Sequence, residues 1–430
     1  MNRRMFFFCS LGLNSALFAF LAAGAAAQTE TVIHAFQSSS STDGAYPTTG
    51  VVADQKGALY GATSGGGLYN YGSIYKLSPP KEHGGAWAES ILYSFTGGAD
   101  SGGPTSIVLD EKNGKIYGAT ACSCGSGVFD LTPPPHSGSP WTESVIYSST
   151  VGVYDLISDP KGRLYGSTLT GGTQGGGSVF LLSESSGVWS AETLFSFTTL
   201  LNKTIYPGGL TLGPKGVLYG VTGYGGGQSY QGTVWSLTPP SGGRTNWTKS
   251  TLFAFPRDES VGGFPMGNLA FDSAGNIYGT TLYSGGIYQL VPPAAPGDSW
   301  NLNLLYTFQF GNDGGQPDAG VVIDSTGALY GTTTVGGDLS CGYNGAEAGC
   351  GTVYKLVPPS AQGQPWTEET LHTFDGGTDG INSGAFAGGP SLLLLENTFY
   401  GTTPIGGDPS VCTNNGSGNT GCGTAYEVTQ

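Results

Sequence analysis

Four aspartates, Asp43, Asp100, Asp313 and Asp379, stand mostly beside glycines in four separate loops. Carboxylates gathered around one opening could hold Ca²⁺ or accept hydrogen bonds from sugar hydroxyls. Asp next to Gly is equally a turn former, because Asp caps its own backbone and Gly takes positive φ. Five tyrosines, Tyr69, Tyr71, Tyr224, Tyr230 and Tyr343, sit in Gly-rich segments with little apolar sequence around them. Such rings either offer platforms for stacking sugars or pack across neighbouring loops. The chain has 4 His: His83 and His136 lie in connections, while His34 and His372 fill a slot taken elsewhere by Tyr93, Tyr147, Phe195, Phe253 and Tyr306. These two histidines therefore read as strand aromatics. A Ser-His-Asp set or a His-ligated metal is hard to build from so few, and no Gly-Lys-Ser/Thr closes the glycine runs as a phosphate loop would. No catalytic residue and no cofactor is expected, Ca²⁺ being the one ion these loops could take.

Of the 7 cysteines, six form three local pairs: Cys122 with Cys124, Cys341 with Cys350, and Cys412 with Cys422. An even set in an exported chain reads as disulfides. Zinc is the alternative for Cys122 and Cys124, but no His lies near them. Each of the two wider pairs closes a loop worth about 2.7 kcal/mol of unfolded-state entropy.

Export itself is written at the N-terminus. Arg3 and Arg4 precede an apolar stretch from Met5 to Ala23, and Ala25-Ala26-Ala27 forms a small-residue cleavage site before Gln28. This is the pattern of a signal peptide over residues 1–27, leaving a single mature domain over 28–430. An uncleaved anchor is the competing reading, disfavoured by Ser10, Asn14 and Ser15 within the stretch; Arg-Arg-x-Phe also faintly resembles a twin-arginine signal. No second apolar stretch of about 20 residues follows, so no membrane insertion is expected after cleavage. The formal charge of −15 becomes −17 when Arg3 and Arg4 leave with a leader that holds no acid. That sign repels phosphate backbones and anionic lipids, which argues against nucleic acid and membrane surfaces as partners.

The elements that must position these groups are strands. Gly contributes 76 of 430 residues and charged residues only 10%, against about 7% and about 25% in ordinary domains. There is no Gly-X-Y period, so collagen is excluded. An aromatic content of 12% is too high for disorder, and helix formers are too scarce for a bundle. Gly supplies turns and aromatics supply strands.

An apolar-Tyr-Gly motif recurs at Tyr60, Tyr117, Tyr165, Tyr219, Tyr278, Tyr330 and Tyr400, 48 to 70 residues apart. Each copy follows a short apolar run with an acidic turn, as in Val51-Val52-Ala53-Asp54 closed by Gly57. After it come a Gly-rich loop, an apolar strand such as Ile74–Leu77 ended by Pro79-Pro80, and a fourth strand opened by Trp87 and ending at Phe95. Asp54, Asp159, Asp272 and Asp324 recur in the tight turn and read as turn caps. The Trp that opens the fourth strand (Trp87, Trp141, Trp189, Trp247, Trp300, Trp366) repeats in register and reads as packing.

Four strands and three turns at this period predict an all-β, seven-bladed β-propeller of four-stranded blades. A solenoid of β-coils, the competing repeat fold, has shorter repeats. Apolar residues on both strand faces suit a sheet held between two neighbours. The last repeat stops after its third strand, and Thr31–Phe36 aligns with Thr370–Phe374. The N-terminal strand is therefore expected to complete the last blade and close the ring.

Several segments resemble a known family. Tyr46-Pro47 and Tyr206-Pro207, Leu329 to Gly337, Gly351 to Leu356 and Trp366 to Glu368 are similar to the GloVer tandem repeat of exported bacterial choice-of-anchor proteins. The resemblance spans nearly all of the mature chain and implies export and a propeller-like repeat fold, with no activity to carry over. Members often end in an anchoring tail. This chain stops at Gln430 directly after a strand, so secretion or periplasmic residence is expected.

In such a ring, the loops joining one blade to the next share a face with the loops between second and third strands. These are the long Gly-rich loops, and they hold the six paired cysteines. That face is the expected binding surface. The leading expectation is a monomeric, non-enzymatic propeller that recognises an extracellular glycan or envelope component. A carboxylate-dependent polysaccharide lyase or glycosidase is the alternative, since paired carboxylates can hydrolyse sugars without His. A purely structural envelope module is the third.

Overall fold

The structure, a computed structural model, describes residues 29–37, 43–82, 84–136, 138–199, 205–225, 231–241, 246–295, 297–341, 349–361, 363–381, 392–408, 410, 412 and 421–429. The leader, His83, Tyr230 and Tyr343 lie outside the described residues. The reason for the repeated Tyr-Gly is steric. In every blade the third strand carries a large ring directly across the glycine of the second strand. A Cβ on Gly61 would sit within 2.3 Å of the Tyr75 ring carbon Cζ, one on Gly118 at 2.2 Å from Phe129, and one on Gly220 at 2.4 Å from Trp235. Gly166, Gly279, Gly331 and Gly401 meet Phe180, Tyr288, Tyr354 and Tyr426 in the same way. Only a residue without a side chain admits the ring.

The tyrosine before that glycine has its own task. Tyr60, Tyr278 and Tyr330 donate their hydroxyls to Asp54, Asp272 and Asp324 at 3.0, 3.0 and 2.9 Å. The same aspartates accept backbone N–H groups within the turn, Lys56 and Ala58 in the case of Asp54. The acidic turn and the Tyr-Gly motif are thus one hydrogen-bonded device joining first and second strands. At the other end of the second strand, a buried hydroxyl pair roots the long loop: Thr63 with Ser73, Thr222 with Thr233, Thr333 with Thr352 and Thr403 with Thr424, at 2.7–2.9 Å.

Seven sheets result, arranged in a ring as a β-propeller. In blade 2, for example, Pro104–Asp110, Lys115–Cys122, Gly125–Thr132 and Thr142–Ser149 follow in order from the axis outward. The inner strand of blade 1 is split into Gly44–Pro47 and Val52–Ala53, both pairing with Leu59–Gly66. The last blade is composite. Leu392–Leu395, Thr398–Thr403 and Thr424–Thr429 are completed by Thr29–Ala35, which pairs antiparallel with Thr424–Thr429 in the register Thr31↔Glu427 and Ala35↔Thr424. The expected clasp is present, and Ile33 and Phe36 are buried at it.

The apolar cores lie between blades. Tyr117, Val128 and Ala119 of blade 2 cluster with Leu164, Phe180 and Leu182 of blade 3, and Phe36 and Ala425 of blade 7 with Leu59 and Tyr75 of blade 1. Each large side chain so buried contributes about 1.5–3 kcal/mol. The outer-strand Trp packs across the same seam: Trp87 on Tyr400, Trp189 on Tyr117 and Trp247 on Tyr165, with ring centroids 5.6–6.2 Å apart. Nearer the axis the blades are laced by hydrogen bonds between inner strands, including Thr48 Oγ1 to the Pro104 carbonyl and Thr105 Oγ1 to the Val153 carbonyl, at 2.9 and 2.7 Å.

Candidate functional site

Every outer strand carries a β-bulge one residue before the recurring aromatic slot. Val32↔Tyr426 is followed by His34↔Ala425, leaving Ile33 unpaired, and Ile91↔Tyr75 by Tyr93↔Ile74, leaving Leu92 unpaired. A bulge re-aims the next side chain, and here it turns the slot residue into the seam toward the following blade. The interblade aspartates meet it there. Asp100 accepts the Tyr93 hydroxyl at 2.8 Å together with the Thr96 N–H and hydroxyl. Asp313 accepts the Tyr306 hydroxyl at 2.9 Å and the Gln309 N–H. Asp379 lies 2.9 Å from His372 Nε2, and Asp43 lies 3.3 Å from His34 Nε2 while accepting the Gln37 and Gly44 N–H groups.

Each of these aspartates therefore folds its own loop down into a seam. A glutamate from the next outer strand faces each of them. Glu143 faces Asp100, Glu368 faces Asp313, Glu30 faces Asp379, and Glu89 is hydrogen-bonded to Asp43. Burial, reinforced by the neighbouring Asp, pushes Glu143 up to about 7 and Glu89 up to about 8. Burial opposes the charge on Asp100 as well, but the Thr96 hydroxyl and amide and the Tyr93 hydroxyl outweigh it and hold that carboxyl below the usual range. The pair shares its charge unequally: hydrogen bonds favour the ionised Asp, and burial favours the neutral Glu.

Seam 3/4 breaks this pattern. Its slot residue is Phe195, and the position of the glutamate is taken by Lys249. The Lys249 ammonium sits 5.8 and 5.9 Å from the Phe195 and Phe197 ring centroids and donates to Thr251 Oγ1 at 3.1 Å. Burial pulls its pKa down. Beside it lies a cavity of about 360 Å³ lined by Phe197, Ile205, Thr222, Tyr224, Thr233 and Lys249.

Tyr224 leads from that cavity onto a group of four rings on the long-loop face. Phe264 packs edge-on against Tyr224 with centroids 4.7 Å apart, Tyr283 lies 5.1 Å from Phe264, and Tyr206 lies 5.7 Å from Tyr224 and 6.2 Å from Phe264. The Tyr224 and Tyr283 hydroxyls approach to 3.5 Å, and that contact, with partial burial, pushes Tyr283 up to about 12. Tyr206 and Tyr283 are each close to 40% exposed. Gln231 Nε2 donates to Glu259 Oε1 at 2.9 Å, and Glu259 lies near enough to Tyr283 to raise its pKa slightly. A mostly apolar plate edged by an amide and a carboxylate results.

The backbone puts the rings there. Tyr206 and Phe264 each precede a proline and hold φ of +54 and +56, and Tyr46 and Gln316 stand in the same pre-proline position at +58 and +52. Bulky residues seldom adopt this region, at about 1–3 kcal/mol each. Phe264 settles over Gly223, where a Cβ would meet its ring at 2.9 Å.

Of the tyrosines singled out from the sequence, Tyr224 belongs to this plate. Tyr69 and Tyr71 lie apart on the blade 1 loop, 52% and 43% exposed, with Tyr71 covering Gly97. Tyr206, Phe264 and Tyr283 were not singled out. The signal for the first two was present in the repeated aromatic-Pro pair, Tyr46-Pro47, Tyr206-Pro207 and Phe264-Pro265; Tyr283 ends a strand with no mark of its own. The three cysteine pairs are bonded as expected, all in second-to-third strand loops of this face. On the opposite face a cavity of about 410 Å³ lies between blades 2 and 3, lined by Asp110, Lys112, Asp159, Lys161, Arg163 and Glu184. Its Arg163 already pairs with Asp159, and its Lys112 with the Pro160 carbonyl.

Residues 88–291 match the model of the Gloeobacter/Verrucomicrobia repeat. The match runs from the outer strand of blade 1 to the third strand of blade 5 and bears out the repeat resemblance drawn from the motifs. No curated protein matches the sequence. Among solved structures the chain is similar to virginiamycin B lyase from Staphylococcus aureus, at 12% identity and a TM-score of 0.53, covering 94% of this chain and 99% of that one. It is also similar to a putative 6-phosphogluconolactonase from Bacteroides uniformis, at 13% identity and a TM-score of 0.52, covering 89% of this chain and all of that one. At such identities the likeness is one of fold.

Proposed function

We propose that this protein is an exported, non-enzymatic binding propeller that recognises an extracellular glycan on the ring plate Tyr206–Tyr224–Phe264–Tyr283. The plate carries the proposal. Four rings gathered around Phe264, two of them well exposed, offer the apolar face of a sugar a stacking surface, and the tyrosine hydroxyls with Gln231 and Glu259 supply hydrogen bonds at its edge. The three disulfides fit an extracellular protein, and the formal charge of −15 disfavours nucleic acid and anionic lipid as partners.

The carboxyl pairs support binding over hydrolysis. A glycosidase holds its two carboxyls about 5 to 9.5 Å apart around the sugar, whereas Asp43 and Glu89 are hydrogen-bonded to one another inside a seam. The test is an array of bacterial and plant polysaccharides probed with the full mature chain, the Tyr224→Ala variant and the Tyr283→Ala variant. At least a tenfold loss of affinity in the variants is expected. Undiminished binding would overturn the plate as the site, and release of cleaved oligosaccharide by the wild type would overturn the non-enzymatic reading.

A further inference from the structure

Two seams differ from the other acidic ones, and they are the two that flank the composite blade 7. Where seams 1/2 and 5/6 place Tyr93 and Tyr306 against the carboxyls, seams 7/1 and 6/7 place His34 and His372. A tyrosine hydroxyl donates one hydrogen bond and is a poor ligand for a borderline cation. An imidazole nitrogen is a good one.

At seam 7/1 the three donors converge. His34 Nε2 lies 3.3 Å from Asp43 Oδ1 and 4.0 Å from Glu89 Oε1, and the ligand atoms of the three residues all fall within 4.8 Å of one another. Around Zn²⁺, bonds of about 2.0–2.1 Å in a tetrahedron set the donors about 3.3–3.4 Å apart. The first pair already has that spacing, and Glu89 needs to close on His34 by roughly half an ångström, a small rotation of its side chain. Glu89 Oε1 is buried without a hydrogen-bond partner, as are Glu30 Oε1 and Glu143 Oε1 in other acidic seams, and at 7/1 an imidazole nitrogen converges with it. Buried lone pairs without a donor call for a positive partner. At seam 6/7 His372 Nε2 lies 2.9 Å from Asp379 Oδ2 and Glu30 faces the pair, but the three do not converge as the 7/1 group does. The donors at 7/1 are drawn from the N-terminal strand, the loop after it and the outer strand of blade 1; those at 6/7 come from blade 6, the loop after it and the N-terminal strand.

We propose that His34–Asp43–Glu89 is a site for a divalent transition cation, Zn²⁺ foremost, that pins the N-terminal strand to blade 1. Hydrogen bonding alone is the competing account, because Tyr93 fills the same slot against Asp100 and Glu143 with no ligand nitrogen. The two accounts part on stoichiometry.

The full mature chain, stripped with a chelator, is titrated with ZnCl₂ by calorimetry, and bound metal is counted by mass spectrometry after desalting. One equivalent is expected for the wild type and for His372→Tyr, and none for His34→Tyr. Tyr occupies this slot in seams 1/2 and 5/6, so the variants keep a residue the fold already uses, and near-ultraviolet circular dichroism checks that they are folded. Glu89→Gln, which keeps the shape, is expected to weaken the site at least tenfold. Zn²⁺ should raise the melting temperature of the wild type and leave that of His34→Tyr unchanged. A wild type that retains no Zn²⁺, or a folded His34→Tyr variant that binds as much as the wild type, would overturn the proposal. Equal stabilisation of both by Ca²⁺ would overturn the histidines' part in it.

Discussion

Seams 1/2 and 3/4 are built from the same repeat and do opposite things. In seam 1/2 the interblade loop dips inward, Asp100 takes three hydrogen bonds from Tyr93 and Thr96, and Glu143 covers it from the next blade. In seam 3/4 a phenylalanine and a lysine replace Tyr and Glu, and a cavity of about 360 Å³ opens under Tyr224 at the edge of the ring plate. The lesson is one of subtraction. A propeller acquires a concave site where a copy of the repeat lacks the polar plug that four of its seams carry.

The largest effect tests what all seams share, a closed ring. Removing residues 28–37 deletes the outer strand of blade 7, its ladder to Thr424–Thr429 and the burial of Ile33 and Phe36. Ladder bonds at about 1 kcal/mol net each and two buried side chains amount to about 5–10 kcal/mol. Thermal unfolding is expected to move down by 10 °C or more, or to lose its cooperativity; an unchanged melting temperature would show that the clasp is dispensable.

Function separates the two seams next. Phe264→Ala, which removes the central ring of the plate, should lower glycan affinity about tenfold or more. Tyr93→Phe in the plugged seam should leave binding unchanged and cost about 1 kcal/mol of stability. Equal losses of binding from both changes would erase the distinction between the seams.

A pH series sharpens it further. Folding raises the Glu143 carboxyl to about 7, with burial the leading cause and Asp100 the second, so the folded chain keeps a proton that the unfolded chain releases near 4.5. Stability from this group is therefore full below pH 4.5 and declines as pH climbs through about 7. Partial solvent contact reduces the effect to roughly 1 kcal/mol. Glu143→Gln should flatten that part of the stability–pH curve, measured by urea unfolding between pH 4 and 8, and a curve parallel to the wild type would refute it. The smallest effect belongs to the open seam: Lys249→Met keeps the contact with Phe195 and Phe197 and removes a partly buried charge. It should raise stability by a few tenths of a kcal/mol, read as a rise of about 1 °C or less in melting temperature.

Much of the frame was legible from single residues. Tyr-Gly marked each second strand, because the glycine answers a local demand, the ring one strand away. Asp-x-x-Gly marked the turns for the same reason. That Tyr60 and Asp54 are bonded partners was written in their spacing, yet it shows only when the hairpin is closed. The clasp was legible because Thr31–Phe36 repeats the pattern of Thr370–Phe374. The seams were not. His34, Asp43 and Glu89 belong to two blades and come together through a bulge and a loop that folds inward. The plate escaped in part for a similar reason: Tyr206, Tyr224, Phe264 and Tyr283 arise from two blades, and a positive φ before proline turns two of the rings.

By itself, the sequence determined the number of blades, the strands within each and the strand that closes the ring. Those features follow from interactions within one repeat, and seven copies state them seven times. Only the tertiary structure decided which polar groups meet. Contacts between blades depend on bulge, loop path and the identity of a neighbour some fifty residues away, where Glu143 and Lys249 occupy one position and produce a plugged seam and an open one.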